Sequence, residues 1–190
     1  PPFNEGECNS CHNPHGSGLK SMIKDRMDRL CYSCHTDAEG KFLKTYTHRP
    51  VMEARCDACH RSHGADEKNI LRFTGGRTCA SCHGDIMKAE TSGTNHNPFA
   101  EGECLTCHNA HASNVKGMIV DKQGSLCFSC HDDVTKGLKD AKSQHKPLLT
   151  DECTKCHSPH KTKLDKLLLA KSPDLCLTYQ KDLKTRMEKE

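Results

Sequence analysis

Tryptophan is absent from this chain of 190 residues, aromatic side chains make up only 4% of it, and hydrophobic residues of all kinds reach 34%. With a mean hydropathy of −0.78, that scarcity excludes an interior of ordinary thickness built from protein alone. Long apolar runs are missing too. The longest is Leu167-Leu168-Leu169-Ala170, against the roughly 18 apolar residues that a membrane span requires. Nor are charges of one sign gathered together: the net charge is +3 and the basic residues are scattered, which leaves no footprint for nucleic acid. The chain starts at Pro1-Pro2 with neither an initiator methionine nor a charged and then apolar leader, the pattern expected of a processed or truncated product.

What the chain has in excess is cysteine and histidine, 15 of one and 14 of the other. All but one of the cysteines fall in seven copies of Cys-x-x-Cys-His: Cys8, Cys11 and His12; Cys31, Cys34 and His35; Cys56, Cys59 and His60; Cys79, Cys82 and His83; Cys104, Cys107 and His108; Cys127, Cys130 and His131; and Cys153, Cys156 and His157. Their first cysteines are 23, 25, 23, 25, 23 and 26 residues apart. The repeat is therefore a doublet of about 48 residues, and it divides the chain into 1–47, 48–95, 96–144 and 145–176, with a tail at 177–190.

The seven other histidines keep fixed offsets from these motifs. His15, His63, His111 and His160 trail the first motif of each doublet by three residues, and His48, His96 and His145 lead the first cysteine of the later doublets by eight, each with proline two residues on.

Two cysteines at this spacing can each add through sulfur to one vinyl group of a single porphyrin, and the adjacent histidine then reaches the iron. A zinc knuckle, a thioredoxin-like pair or a local disulfide would account for the cysteines but not for a histidine after every second one. The expectation is seven covalently attached hemes c. Seven spare histidines for seven irons predict bis-histidine ligation, the metal ligands being His12, His35, His60, His83, His108, His131, His157, His15, His48, His63, His96, His111, His145 and His160. Three residues are too few to carry a chain around a porphyrin, so each trailing histidine must serve another heme than its neighbour's. With about 27 residues per heme, the porphyrins are the expected core.

Short helices are expected at residues 22–29, 86–90, 134–141 and from 175 onward, with coil elsewhere and no credible strand pattern. Met22, Ile70, Met118 and Leu167, at matching positions in the four doublets, are expected to pack against porphyrin or a neighbouring helix.

The ends are irregular. Pro98-Phe99-Ala100-Glu101-Gly102-Glu103-Cys104 aligns with Pro2-Phe3-Asn4-Glu5-Gly6-Glu7-Cys8, so the counterpart of His96 falls just before Pro1. Leu175-Cys176-Leu177-Thr178-Tyr179-Gln180 aligns with a second motif but carries tyrosine and glutamine where cysteine and histidine belong. If trailing histidines serve the second heme of a doublet, His160 is left over, and a head-to-tail homopolymer with intersubunit ligation by His160 becomes one arrangement. Fold-back of His160 within the chain, another local ligand and a truncated chain are the alternatives.

The alternation of Cys-x-x-Cys-His-x-x-His with Cys-x-x-Cys-His over residues 1–176 resembles the doubled-motif multiheme cytochromes, including the octaheme and decaheme conduits of metal-reducing bacteria. The resemblance implies coil and short α-helices wrapped around a stacked heme chain, with little or no β structure. It implies a periplasmic or extracellular location and redox partner proteins, among them a porin or other cytochromes. The implied function is electron transfer without catalysis. A subunit of a conducting filament and a multiheme reductase with an open site at the first heme are the competing functions.

Overall fold

The computed structural model describes residues 2–88, 90–180 and 185. Coil and short helical segments dominate, as expected. The longest helix, Gly75–Met87, has 13 residues, and among the described residues no helix is long and apolar enough to cross a membrane. Around residues 22–29 the chain forms a tight turn, Lys20–Met22, with left-handed Ser21 and Met22, and then a helix, Met27–Tyr32. Of the helix expected over 86–90, Ile86 and Met87 prove to be the end of Gly75–Met87, and residue 89 lies outside the described residues. The helix expected over 134–141 runs Asp132–Lys139, with Asp132 and Asp133 in its first turn and Lys136 and Lys139 in its last, charges that complement the helix dipole. Of the expected C-terminal helix, Asp174–Tyr179 is formed; residues 181–184 and 186–190 lie outside the described residues.

The chain divides into two units, residues 1–82 with 104–120 and residues 83–103 with 121–190. Each is held by one small ladder that the sequence did not announce. The described residues contain four two-residue strands: β1 (Tyr46–Thr47), β2 (Thr94–Asn95), β3 (Ala112–Ser113) and β4 (Lys161–Thr162). In the first unit β1 pairs antiparallel with β3, Tyr46 opposite Ser113 and Thr47 opposite Ala112. The His48 N–H extends the ladder by donating to the His111 carbonyl at 2.8 Å. In the second unit β2 pairs with β4 in the same way, Thr94 opposite Thr162 and Asn95 opposite Lys161, and the His96 N–H donates to the His160 carbonyl at 2.8 Å. A leading segment is thus paired with the trailing segment of the following doublet.

Neither unit has a protein core of any size. Among the described residues, Ala54 and Ala112 are the buried hydrophobic side chains and Ser113 the buried polar one. The chain exposes 14193 Å², whereas two separate compact bodies of half its mass would together expose about 11,000 Å². Leu43, Met52, Leu105 and Leu149 are among the large apolar side chains left exposed. Met22 and Ile70 are about half exposed, and they lie in left-handed turns rather than in a packed interior.

Candidate heme sites

Six of the seven attachment motifs begin as a single turn of helix. The His12 N–H donates to the Cys8 carbonyl at 3.0 Å, and His35 to Cys31, His60 to Cys56, His108 to Cys104, His131 to Cys127 and His157 to Cys153 do the same at 2.8–3.0 Å. The other motif, Cys79, Cys82 and His83, lies within the helix Gly75–Met87, which His83 kinks at φ −104° and ψ 34°. Residues three and four apart share a helix face, so each turn sets both thiols and the imidazole on one side of the chain. The fifteen cysteines form no disulfide.

The second cysteines close the turns. The Cys11, Cys34, Cys59, Cys130 and Cys156 N–H groups donate to the carbonyls of Cys8, Cys31, Cys56, Cys127 and Cys153 at 3.1–3.3 Å. Cys107 ends the one-turn helix Cys104–Cys107, and its carbonyl accepts from the Val120 N–H at 2.9 Å. Cys107 is half-buried, whereas Cys130 is exposed, with the Ser129 hydroxyl 3.8 Å from its sulfur.

A second device follows each first motif. Ser21 and Met22, Asn69 and Ile70, Gly117 and Met118, and Lys166 and Leu167 are consecutive residues with φ between 51° and 78°, a conformation that costs a non-glycine residue roughly 1–2 kcal/mol. Each pair returns the chain to the motif it followed. In the first doublet the Asn13 N–H donates to the Met22 carbonyl and the Lys24 N–H to the Cys11 carbonyl, both at 2.9 Å, bridging His12 to Ile23. The first left-handed carbonyl then meets the imidazole: Nδ1 of His12, His60, His108 and His157 lies 2.9 Å from the carbonyl oxygen of Ser21, Asn69, Gly117 and Lys166 respectively. Donation from Nδ1 to a carbonyl leaves the Nε2 lone pair available to a metal.

The leading histidines are held by a different carbonyl. His48 and His96 precede the short helices Arg49–Met52 and Asn97–Ala100, each with proline in its first turn, where the missing N–H costs nothing. Nδ1 of His48 contacts the Ala110 carbonyl at 3.0 Å, and Nδ1 of His96 the Pro159 carbonyl at 3.0 Å. In both cases the acceptor stands just before a trailing histidine.

Histidines distant in sequence meet in pairs with nearly parallel rings. The rings of His12 and His63 have centres 5.9 Å apart at an interplanar angle of 29°, those of His60 and His111 are 6.0 Å apart at 7°, and those of His96 and His131 are 6.1 Å apart at 19°. Two imidazoles bound through Nε2 to opposite sides of one metal, at about 2 Å per bond, have centres about 6 Å apart. The described residues form no group of three or more His, Cys, Asp or Glu side chains that could hold a metal ion by themselves. Paired donors fit an iron whose remaining positions a porphyrin supplies, and the exposed apolar side chains and unbridged thiols fit the porphyrin itself.

The pairing differs from the conditional reading of the sequence. A trailing histidine faces the first attachment histidine of the preceding doublet, and the leading histidine His96 faces the second attachment histidine of its own. The physical reason is the ladder, which lays a leading segment beside the next doublet's trailing segment. His15, rather than His160, is therefore the trailing histidine with no preceding motif in the sequence, and it faces no other imidazole among the described residues. Among those residues His145 likewise has no carbonyl at its Nδ1. Cys176 and Tyr179, in the helix Asp174–Tyr179, are exposed.

Sulfur and imidazole electrostatics reflect this crowding. Cys31 and Cys56 share a hydrogen bond through their sulfurs, which pushes the Cys31 thiol up and holds Cys56 down at about 7. Burial, with Cys104 close by, raises Cys79 to about 11, and burial followed by the nearby Cys82 raises Cys59. Successive attachment motifs of the first unit thus approach one another through their cysteines. Burial, and after it His60 and His48, pushes the His111 pKa down, which favours the neutral form that a ligand needs.

Aromatic side chains against the trailing imidazoles were not foreseen. Phe3 lies 5.3 Å from His63, Phe99 5.3 Å from His160, and Phe42 stacks on His111 at 4.1 Å. The repeated Pro-Phe of Pro2-Phe3 and Pro98-Phe99 was the available signal for the first two.

The chain matches the protein family described as doubled CXXCH motif over residues 1–40, 48–88, 96–136 and 145–178. It is also similar to multiheme cytochrome MtrA of Shewanella baltica (strain OS185), with 44% identity over 45 residues that make up 23% of this chain and 13% of that protein.

Proposed function

This chain belongs to the doubled CXXCH motif family and is a multiheme c-type cytochrome, and from that premise we propose that it passes electrons along seven covalently bound hemes c outside the cytoplasmic membrane. When bound, each heme supplies a one-electron iron couple. The chain's own residues fix where those couples stand. Cys8 with Cys11, Cys31 with Cys34, Cys56 with Cys59, Cys79 with Cys82, Cys104 with Cys107, Cys127 with Cys130 and Cys153 with Cys156 would each hold one porphyrin through two thioether bonds. His12, His35, His60, His83, His108, His131 and His157 would each supply one ligand to the iron of the heme that their motif holds.

The observation that carries this reading is the pair of imidazoles with ring centres 5.9–6.1 Å apart and planes within 29° of parallel, found three times with one Nδ1 of each pair bonded to a carbonyl. On that basis His63 and His111 would be the second ligands of the irons held by His12 and His60, and His96 of that held by His131. Two histidines on an iron leave no position for substrate. The first site, with His63 opposite His12, thus supports electron transfer over a reductase with an open site there. The approach of successive motifs through Cys31 and Cys56, Cys59 and Cys82, and Cys79 and Cys104 supports short steps between neighbouring hemes. Partners are redox proteins, a porin or another cytochrome among them, in a periplasmic or extracellular setting.

A second reading, a head-to-tail polymer, draws on the ladders. Residues 15–17 are a trailing segment and residues 143–145 a leading segment that join no ladder among the described residues, whereas the trailing segments at Ala112–Ser113 and Lys161–Thr162 pair with the leading segments at Tyr46–Thr47 and Thr94–Asn95. His15 would then serve the iron at His157 of a second copy. One preparation tests both readings. Intact mass and pyridine hemochrome absorbance should give seven hemes, with electron paramagnetic resonance dominated by low-spin bis-histidine iron. Fewer covalent hemes, or a high-spin signal from the site of His12, would overturn the first reading, and a concentration-independent monomer by light scattering would overturn the second.

A further inference from the structure

Each facing pair contains one imidazole with a backbone carbonyl at Nδ1 and one without. His12, His60 and His96 have the carbonyl bond, while His63, His111 and His131 have none among the described residues. The held partner is the attachment histidine at the first site of a doublet, and the leading histidine at the second. We propose that the left-handed turns Ser21–Met22, Asn69–Ile70, Gly117–Met118 and Lys166–Leu167 position the attachment imidazole at the first site of every doublet. The first carbonyl of each turn fixes the tautomer and ring plane and increases the basicity of Nε2. The inference rests on the heme reading above.

Three features of the turns argue for a task beyond reversing the chain. Seven of their eight residues are not glycine, so the conformation is kept without the residue that adopts it most easily. Ile70, at φ 51°, is β-branched and an outlier there by ordinary preference. Each turn is also clamped on both sides of the motif histidine. In the second doublet the Arg61 N–H donates to the Ile70 carbonyl and the Arg72 N–H to the Cys59 carbonyl, both at 2.8 Å. In the fourth, Ser158 donates to Leu167 at 2.7 Å and Leu169 to Cys156 at 2.9 Å. Strain held in place by surrounding bonds at a ligand is strain in use. Hydroxyls brace three of the four turns: Ser17 donates to the Ile23 carbonyl at 2.6 Å, Ser113 to Ile119 at 2.6 Å and Thr162 to Leu168 at 2.9 Å. Alanine stands at the corresponding position in the second doublet, Ala65, where the His60 bond nevertheless forms, so the turn rather than the hydroxyl delivers the carbonyl.

Donation from Nδ1 to an outer carbonyl orients a ligating imidazole and raises its basicity, and a more basic ligand favours the oxidised iron. The turn therefore holds the first-site potentials down. Asn69 is the position to test, because His60 has its facing partner, His111, in the same unit. Asn69→Gly keeps the left-handed conformation, whereas Asn69→Pro fixes φ near −65° and withdraws the carbonyl. Heme count by mass is taken on parent and variants, so a parent without covalent heme would refute the heme reading itself. With heme count equal in all three, the Asn69→Pro protein should show one couple moved to more positive potential and one altered low-spin resonance. The Asn69→Gly protein should match the parent. Identical potentials and resonances in the two variants would overturn the proposal. Should the proline variant fail to mature, the reduced parent labelled with 15N-histidine decides: the Nδ1–H of His60 should exchange with deuterium more slowly than that of His111, and equal rates would overturn the proposal.

Discussion

At the scale of single residues, the two nitrogens of histidine divide the work. Nδ1 is tied to a carbonyl at His12, His60, His108 and His157, so Nε2 is the atom left for a metal. His63 carries no such bond but stands 5.9 Å from His12 with Phe3 against its ring. Replacing His63 with alanine should therefore open one iron position, read as a high-spin signal equivalent to one heme. His15→Ala should leave the iron at His12 low-spin, although His15 is the nearer residue in sequence. A high-spin signal at His12 in the His15→Ala protein would refute the pairing. The candidate ligands were legible in the sequence because their offsets repeat. Their partners were not, because a histidine three residues from a motif says only that it cannot serve that motif, and the doublet it reaches is chosen by tertiary pairing.

At the scale of elements, the ladders make that choice. β1 meets β3, and β2 meets β4, across more than one doublet of intervening chain, and two residues are too few for the alternation by which strands are recognised. That is why no strand was expected at Tyr46 or Thr94. The helix Asp132–Lys139 was legible, having a full complement of terminal charges, while Arg49–Met52 and Asn97–Ala100 are single turns set by proline and the ladder beside them. Gly93 exposes how tight the second ladder is. A Cβ there would lie within 3 Å of the Thr162 carbonyl oxygen and the Lys163 Cα, both backbone atoms that cannot rotate away. Gly93→Ala should thus part β2 from β4, at a cost of about 1–3 kcal/mol by the usual scale of overpacking. It should also loosen His96, whose Nδ1 contact to Pro159 depends on that pairing. Thermal unfolding of the variant, followed in the visible region, checks this. An unchanged midpoint would mean that the ladder is not what fixes the second unit.

At the scale of the whole molecule, the scarcity of apolar residues read from composition and the surface of 14193 Å² state the same fact twice. Two buried alanines cannot offset the conformational entropy of ordering a chain, which runs to about 1–2 kcal/mol per residue for the backbone alone, and a two-stranded ladder is marginal by itself in water. Heme attachment would supply the missing favourable term through porphyrin burial, thioether bonds and iron ligation, in the way that metal binding supplies folding free energy to small metalloproteins, and exposed side chains such as Leu43, Met52, Leu105 and Leu149 are apolar surface available for it. The chain produced without heme attachment should accordingly show the circular dichroism of coil, no cooperative thermal transition, and digestion by protease under conditions that spare the holoprotein. A cooperative transition in the heme-free chain would mean that the helices and ladders suffice to fold it, and the hemes would then be cargo in a preformed scaffold rather than the core around which the polypeptide closes.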